Sequence, residues 1–397
     1  MKRVYPCHDI RTLCCLLFLL TGMRIALQSQ TQLIFTDSVR VPEGILILEK
    51  NESRELIFDT QEQLIINQQG GVRDTVALSK DRIYRNIRAG CVYKDRVFLL
   101  NYPFYIVEVD LKKQRVRRLR LRTKWEGKFY DIFTRSFQSM AYLPEDQALI
   151  FYVLPLRNEQ ENMFSSVSFY KDNPLLGVFS LRGKNAKLTR CVGIRDSIYW
   201  AEGGILAHMH HTCFFADLSQ DRFFTAQIVC PTIVEYGFGG EKGRTFGQAG
   251  QHIERDSLIP IKVDQFSRRK ADIFQRAATL YLDIHVDTQQ KLLYRKYRIG
   301  EIVSIEDSLL NEPDPPPIKG VCPFDPYTRS LLRSYPPEYG LQVYDLNPAL
   351  PQPRLLYDMK MTQRFEILDL HGEGLYLSVD KKDGTKWLYQ ASIPLDR

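Results

Sequence analysis

Thirteen residues from Lys112 to Lys124 hold eight basic side chains and no acidic one: Lys112, Lys113, Arg115, Arg117, Arg118, Arg120, Arg122 and Lys124. Val116 to Leu121 follows the apolar-basic-basic-apolar-basic-apolar order associated with heparin-like ligands. If this segment is a strand, alternation puts Arg118, Arg120 and Arg122 on one face, about 7 Å apart. Sulfate and carboxylate groups along a sugar chain can bridge such a row, because a guanidinium pairs with them through two parallel hydrogen bonds. The competing reading is an outer edge strand whose charges block pairing with other chains.

Other chemistry is thinner. His208-Met209-His210-His211-Thr212-Cys213 gathers three imidazoles and a thiol, but strand parity separates them. Only His208 and His210 share an outward face, two ligands where a zinc site needs three or four. Asn51-Glu52-Ser53 is a glycosylation sequon. The stretch Gly237 to Gly250 has six glycines in fourteen residues, without the spacing of a phosphate loop, and reads as a mobile loop open to interaction. No GxSxG or HExxH pattern is present. Glu235, Asp283 and Asp287 are carboxylates that a central channel could collect, although nothing in the pattern selects them.

The elements that position these residues are short strands. The composition is 44% hydrophobic and 25% charged, which excludes a disordered or collagen-like chain. Tyr and Phe together number 43, and so do Gly and Pro, a mix that favours many strands joined by tight turns. Two patterns alternate along the chain. One is an Asp-containing turn before an apolar strand, as in Lys94-Asp95-Arg96-Val97-Phe98 and Arg195-Asp196-Ser197-Ile198-Tyr199. The other ends a strand with an apolar residue, Asp and Leu: Val109-Asp110-Leu111, Ala216-Asp217-Leu218 and Tyr344-Asp345-Leu346, with Phe179-Ser180-Leu181 as a degenerate copy.

Units of turn, strand, hairpin and strand, repeated in tandem, predict an all-β chain forming a single β-propeller. Seven units are expected, beginning near Leu33, Ile87, Phe137, Cys191, Pro231, Ile318 and Gln363, with six as the alternative. The last has room for three strands, so an N-terminal strand near Gln32 to Phe35 is expected to close the ring. Arg268 to Ala278 is the one short helix expected. In general plan the chain resembles secreted β-propellers. Tyr199-Trp200-Ala201-Glu202 resembles one copy of the YWTD signature of lipoprotein-receptor propellers. An export segment followed by one propeller is similar to the yellow and royal-jelly proteins of insects. Ser378 to Trp387 resembles the Asp-box turn of sialidases and occurs once.

Residues 1–30 read as a secretory signal peptide: Lys2, Arg3 and Arg11 precede an unbroken apolar run from Leu13 to Leu20, too short to span a bilayer. The domain expected after it is residues 31–397. The whole chain has a formal net charge of +7, of which the leader carries +3. Outside the leader and Lys112 to Lys124 the charge is therefore net negative, so basicity is local. Five cysteines follow the leader, Cys91, Cys191, Cys213, Cys230 and Cys322, an odd number available for disulfides in an oxidising compartment. The expectation is a secreted, extracellular monomer that binds an acidic glycan or a protein partner, without a cofactor, nucleic acid or a transmembrane span. A secreted hydrolase or lactonase-like propeller and a structural cuticle or eggshell component are the alternatives. N-terminal sequencing of the exported protein should begin close to residue 31; a sequence starting at Met1 would remove the cleavable leader.

Overall fold

The computed structural model describes residues 33–50, 53–78, 87–102, 105–132, 139–155, 171, 174–197, 204–205, 212–252, 261–262, 278–300, 338–361, 363–368, 375–381, 383 and 385–393. Asn51, His208, His210, Cys322, residues 1–30 and most of the expected helix at 268–278 lie outside them.

The chain is all-β in a propeller-like arrangement of small antiparallel sheets. β1 (Ile34–Val41) comes first. The first meander is β2 (Ile45–Lys50), β3 (Arg54–Asp59), β4 (Leu64–Gln69) and β5 (Val72–Ala77). The second is β6 (Ile87–Tyr93), β7 (Arg96–Asn101), β8 (Tyr105–Asp110) and β9 (Arg115–Arg122). A hairpin of β10 (Lys124–Trp125) and β11 (Lys128–Ile132) leads to the third, β12 (Met140–Leu143), β13 (Ala148–Pro155), β14 (Leu176–Ser180) and β15 (Asn185–Val192). After the two-residue β16 (Gly204–Ile205) comes the fourth, β17 (Thr212–Asp217), β18 (Arg222–Gln227), β19 (Ile233–Gly237) and β20 (Lys242–Phe246). β21 (Ile261–Lys262) pairs with β16 and precedes the fifth, β22 (Leu280–Asp287), β23 (Leu292–Arg298), β24 (Tyr339–Asp345) and β25 (Arg354–Met361). The sixth is β26 (Phe365–Leu368), β27 (Leu375–Asp380) and β28 (Lys386–Ser392), completed by β1, which pairs antiparallel with β28.

Four meanders stand as separate four-stranded sheets. The second and third are joined into one ten-stranded sheet, because their outer strands β9 and β15 pair in parallel. The described residues thus hold six meanders, not the seven units expected. The start expected at Pro231 falls inside the fourth meander, between β18 and β19, and the start at Cys191 falls in β15, the last strand of the third. The start at Ile318 lies in residues 301–337, which separate β23 from β24 within the fifth.

The second strands β7, β13 and β18 are apolar on both faces. In β7, Val97 and Leu99 pack into the core shared with the first meander, whereas Phe98 and Leu100 pack toward the third. β13 repeats this with Phe151 and Val153 on one side and Ile150 and Tyr152 on the other. In β18, Phe223 and Phe224 again enter different cores. The first strands of all six meanders line one axial cavity of ≈ 60 Å³, through residues such as Ile47, Cys91, Met140, Phe214, Ile284 and Ile367.

The Asp-Leu pattern has a physical basis. Asp59, Asp110, Asp217 and Asp287 each close a strand and accept hydrogen bonds from backbone N–H groups of the turn, for example Lys113 N at 2.9 Å and Gln290 N at 2.9 Å. Four residues after each, Gln63, Gln114, Asp221 and Lys291 take positive φ values of 60°, 49°, 49° and 57°, a local strain that the carboxylate's hydrogen bonds offset. Ser180 in the degenerate copy accepts the bond from Arg182 N at 3.4 Å. The Leu that follows caps a neighbouring turn: Leu111 N bonds Asp95 O and Leu346 N bonds Lys291 O, both at 2.8 Å.

Asp217 is only 2% exposed and also accepts Ser219 Oγ at 2.6 Å and Arg222 Nε at 3.1 Å. Asp217→Ala should therefore cost about 2–3 kcal/mol in urea unfolding, against under about 1 kcal/mol for Asp345→Ala in its exposed turn. Equal losses would deny that burial sets the value of this turn.

Candidate anion-binding surface

β9 is the strand that carries the basic segment, and its two faces differ. Leu119 and Leu121 are buried in the core between the second and third meanders, and Trp125 packs on the same core. Arg120 and Arg122 point the other way and are exposed. Along β9 the pairing with β15 is Asn185 to Arg120, Ala186 to Leu121 and Lys187 to Arg122. Ala186 is buried beside Leu121, so the exposed Lys187 stands next to Arg122 on the outer face. Lys124 continues that side, with its ammonium 5.4 Å from the ring of Phe129, which is 54% exposed. Among the described residues, Arg120, Arg122, Lys124 and Lys187 have no carboxylate partner.

Arg118 shares this face but is half-buried, its guanidinium stacked 3.6 Å above the ring of Tyr105. That packing holds the base of the row on β8 and removes Arg118 from the fully solvated set. The edge-guard reading is thus incomplete, since the edge at Arg120 to Arg122 is occupied by β15 rather than left open.

The remaining basic residues of the segment are spent differently. Arg117 donates to Glu108 Oε2 from Nε at 2.7 Å and to Leu181 O at 3.1 Å. Arg96 donates to Glu108 Oε1 and, at 2.7 Å, to the Tyr142 hydroxyl, so one carboxylate is clamped by two guanidinium groups. Lys113 lies 3.6 Å from Asp110, whose carboxyl is held below its usual range chiefly by the Lys113 backbone N–H. Lys112 and Arg115 are exposed.

The glycine-rich stretch is packed, not a free loop. Gln248 O accepts Arg295 Nη2 at 2.7 Å, and Gln251 N donates to Asp358 Oδ2 at 2.8 Å. At Gly247 φ is +104°, and an added Cβ would sit 2.5 Å from Pro231 O, so only glycine fits there. Its anchor, Arg295, is fully buried; it donates to the Gln342 side chain, Pro231 O and the Tyr344 hydroxyl, and lies 4.2 Å over the ring of Tyr281. This cluster escaped the sequence reading because the basic residue sits in a strand of otherwise ordinary composition.

Of the three carboxylates considered for the axis, Asp283 lines the cavity, alongside His285 and Cys213. Glu235 is instead held on β19 by Arg222 and Arg244, and Asp287 serves its turn. Among the described residues no group of three potential ligands is placed to hold a metal. No helix there is long and apolar enough to cross a membrane. Among the described residues, no disulfide joins any two of Cys91, Cys191, Cys213 and Cys230. Burial pushes the Cys191 thiol up to about 12, and it raises Cys230 as well.

No family model matches the chain, and no curated protein does. Among solved structures, a member of the DUF4221 family from Bacteroides vulgatus superposes with a TM-score of 0.62 at 12% identity, covering 92% of this chain and 99% of that one. A Bacteroides fragilis protein named as exported gives 0.47 at 12% identity, covering 92% and 95%. The β-propeller domain of Cps50 (Swd1) from Myceliophteria thermophila gives 0.41 at 7%, covering 91% and 100%. The first likeness supports the fold alone, since sites are not inherited at such identity. Neither the YWTD nor the royal-jelly resemblance finds support in these matches.

At pH 8 a thiol with a pKa of about 12 is ionised to about one part in ten thousand. Cys191 should therefore alkylate more than about tenfold slower in the native protein than in urea, read by peptide mapping. Equal rates would contradict its burial.

Proposed function

We propose that the protein is a secreted six-bladed propeller acting as an extracellular binding or matrix-associated module, with the outer face of β9 and β15 taking an acidic glycan. The observation that carries this is the register of Arg120, Arg122 and Lys187 across two meanders, with no carboxylate partner among the described residues. Their spacing is about 7 Å along the strand and about 4.8 Å across it, a grid that successive anionic groups of a sugar chain can follow. Phe129 beside Lys124 adds an exposed apolar surface against which a sugar ring can lie. A glycan is favoured over a protein partner because Arg120, Arg122 and Lys187 put charge at the centre of the patch, whereas protein interfaces have charge-depleted centres.

The hydrolase alternative needs a chamber, and the axial space of ≈ 60 Å³ is lined mainly by apolar side chains. It has room for a few waters rather than a substrate. That packing favours the binding reading. Export rests on the leader at residues 1–30, and the sequon at Asn51 supplies a glycosylation site for the same compartment.

The test is elution from immobilised heparin in a salt gradient. The wild-type protein should be retained beyond about 0.15 M salt, where screening already acts over about 8 Å. The triple variant Arg120→Ala, Arg122→Ala, Lys187→Ala should elute at or below that point. Removing Arg268, Arg269 and Lys270, an equal charge elsewhere in the sequence, should leave elution near wild type. Passage of the wild type through the column, or co-elution of the row variant with it, would reduce the row to a solvated surface.

A further inference from the structure

Strand alternation gives β9 a second, opposite face, and a separate cleft opens there. It has a volume of ≈ 430 Å³ and lies between the second and third meanders, lined by Arg115, Arg117 and Lys113 from one and Arg182 from the other. Two carboxylates also line it, and both are occupied. Glu108 is 8% exposed and bonded to Arg96 and Arg117; Asp110 is bonded to the Lys113 backbone and lies 3.6 Å from its ammonium.

Five cationic side chains against two carboxylates leave the cleft with a surplus of three positive charges. Arg115 and Arg182 hold two of those charges, and the third is the excess of Arg96 and Arg117 over the Glu108 they share: neither Arg115 nor Arg182 has a carboxylate partner among the described residues. The backbone that presents Arg182 is fixed, because Leu181 N bonds Gln147 O at 2.9 Å and Leu181 O accepts from Arg117. Like charges gathered in a concave site repel one another. An anion placed among them relieves that repulsion, and guanidinium groups meet tetrahedral oxyanions with parallel N–H donors.

We propose that this cleft is an anion site distinct from the outer row, taking one sulfate or phosphate group carried by a molecule of about one sugar unit. The two differ in form. The row extends along the outer face of two meanders, suited to a polymer; the cleft is concave and suits a single charged group with a small body attached. The inference does not depend on the row, since Arg115 and Arg182 take no part in it.

Inorganic phosphate, inorganic sulfate and glucose 6-phosphate are titrated separately against sodium chloride at matched ionic strength, and the melting temperature is followed. Wild-type protein should show a saturable rise with phosphate, sulfate and glucose 6-phosphate in the millimolar range, because ligand that binds the folded form shifts the unfolding equilibrium. The double variant Arg115→Gln, Arg182→Gln should bind at least tenfold more weakly, as expected for losing charge-assisted hydrogen bonds. Any general salting effect of sulfate persists in that variant and is subtracted by it. The row variant Arg120→Ala, Arg122→Ala, Lys187→Ala should keep the saturable rise while losing heparin retention. If the double variant misfolds, judged by circular dichroism, Arg182→Gln alone serves, because Arg182 lies at an exposed turn. No saturable rise in wild type, an unchanged rise in the cleft variant, or its loss in the row variant overturns the proposal. Glucose 6-phosphate binding more than tenfold weaker than phosphate overturns the sugar-sized ligand.

Discussion

A four-stranded meander with apolar side chains on both faces cannot bury itself, and the rest of this structure depends on that constraint. β7, β13, β18 and β23 each send alternate residues into two different cores. Each sheet therefore needs a neighbour on either side, and the demand is met by setting the sheets around an axis with β1 completing the last one. A lost large side chain in one seam is felt by two sheets at once.

Apolar packing brings backbone carbonyls at turns close to the next sheet, and basic side chains bond them. Arg54 of the first meander donates to Lys94 O of the second at 2.8 Å. Arg117 of the second reaches Leu181 O of the third, and Arg190 of the third reaches Phe238 O of the fourth at 2.6 Å. Arg295 bonds the fifth meander to Pro231 O in the fourth, and Lys296 bonds Phe365 O in the sixth. Lys296 also lies 5.0 Å from each of the rings of Tyr339 and Phe365, which takes up its charge where water is excluded. Long cationic side chains suit this role because their aliphatic stems pack in the seam while the heads find acceptors. These five basic residues thus act as internal ties, and the outer row differs from them in lacking a carboxylate partner among the described residues.

The second and third sheets add a further bond, the parallel pairing of β9 with β15. Their terminal strands run in the same direction because every meander is traversed in the same sense. Pairing them satisfies edge groups that would otherwise template foreign strands. It also carries a row of positive charge from one meander onto the next and closes the cleft on the opposite face. One stretch of eight basic residues thus serves three ends: Arg117 ties a seam, Arg118 stacks on Tyr105, and Arg120 and Arg122 face solvent.

Local chemistry was legible in the sequence wherever short-range physics decided it. An Asp at a strand end signals its turn, because its carboxylate bonds N–H groups two and three residues ahead; Asp110, Asp217 and Asp345 were readable for that reason. The three-stranded remainder at the C-terminus implied a strand from elsewhere, and β1 supplies it. The buried alternation of Leu119 and Leu121 likewise assigned Arg118, Arg120 and Arg122 to one face. The number of sheets was not legible, since residues 301–337 separate β24 from β23 and break the period that marks a unit. Nor was the fate of each charge. Whether Arg117 meets Glu108, whether Lys187 stands beside Arg122, and whether a glycine-rich stretch is pinned by Arg295 depend on contacts between residues far apart in the chain. Spacing along a strand sets which way a side chain points; only the packing of one sheet on the next determines what it meets there.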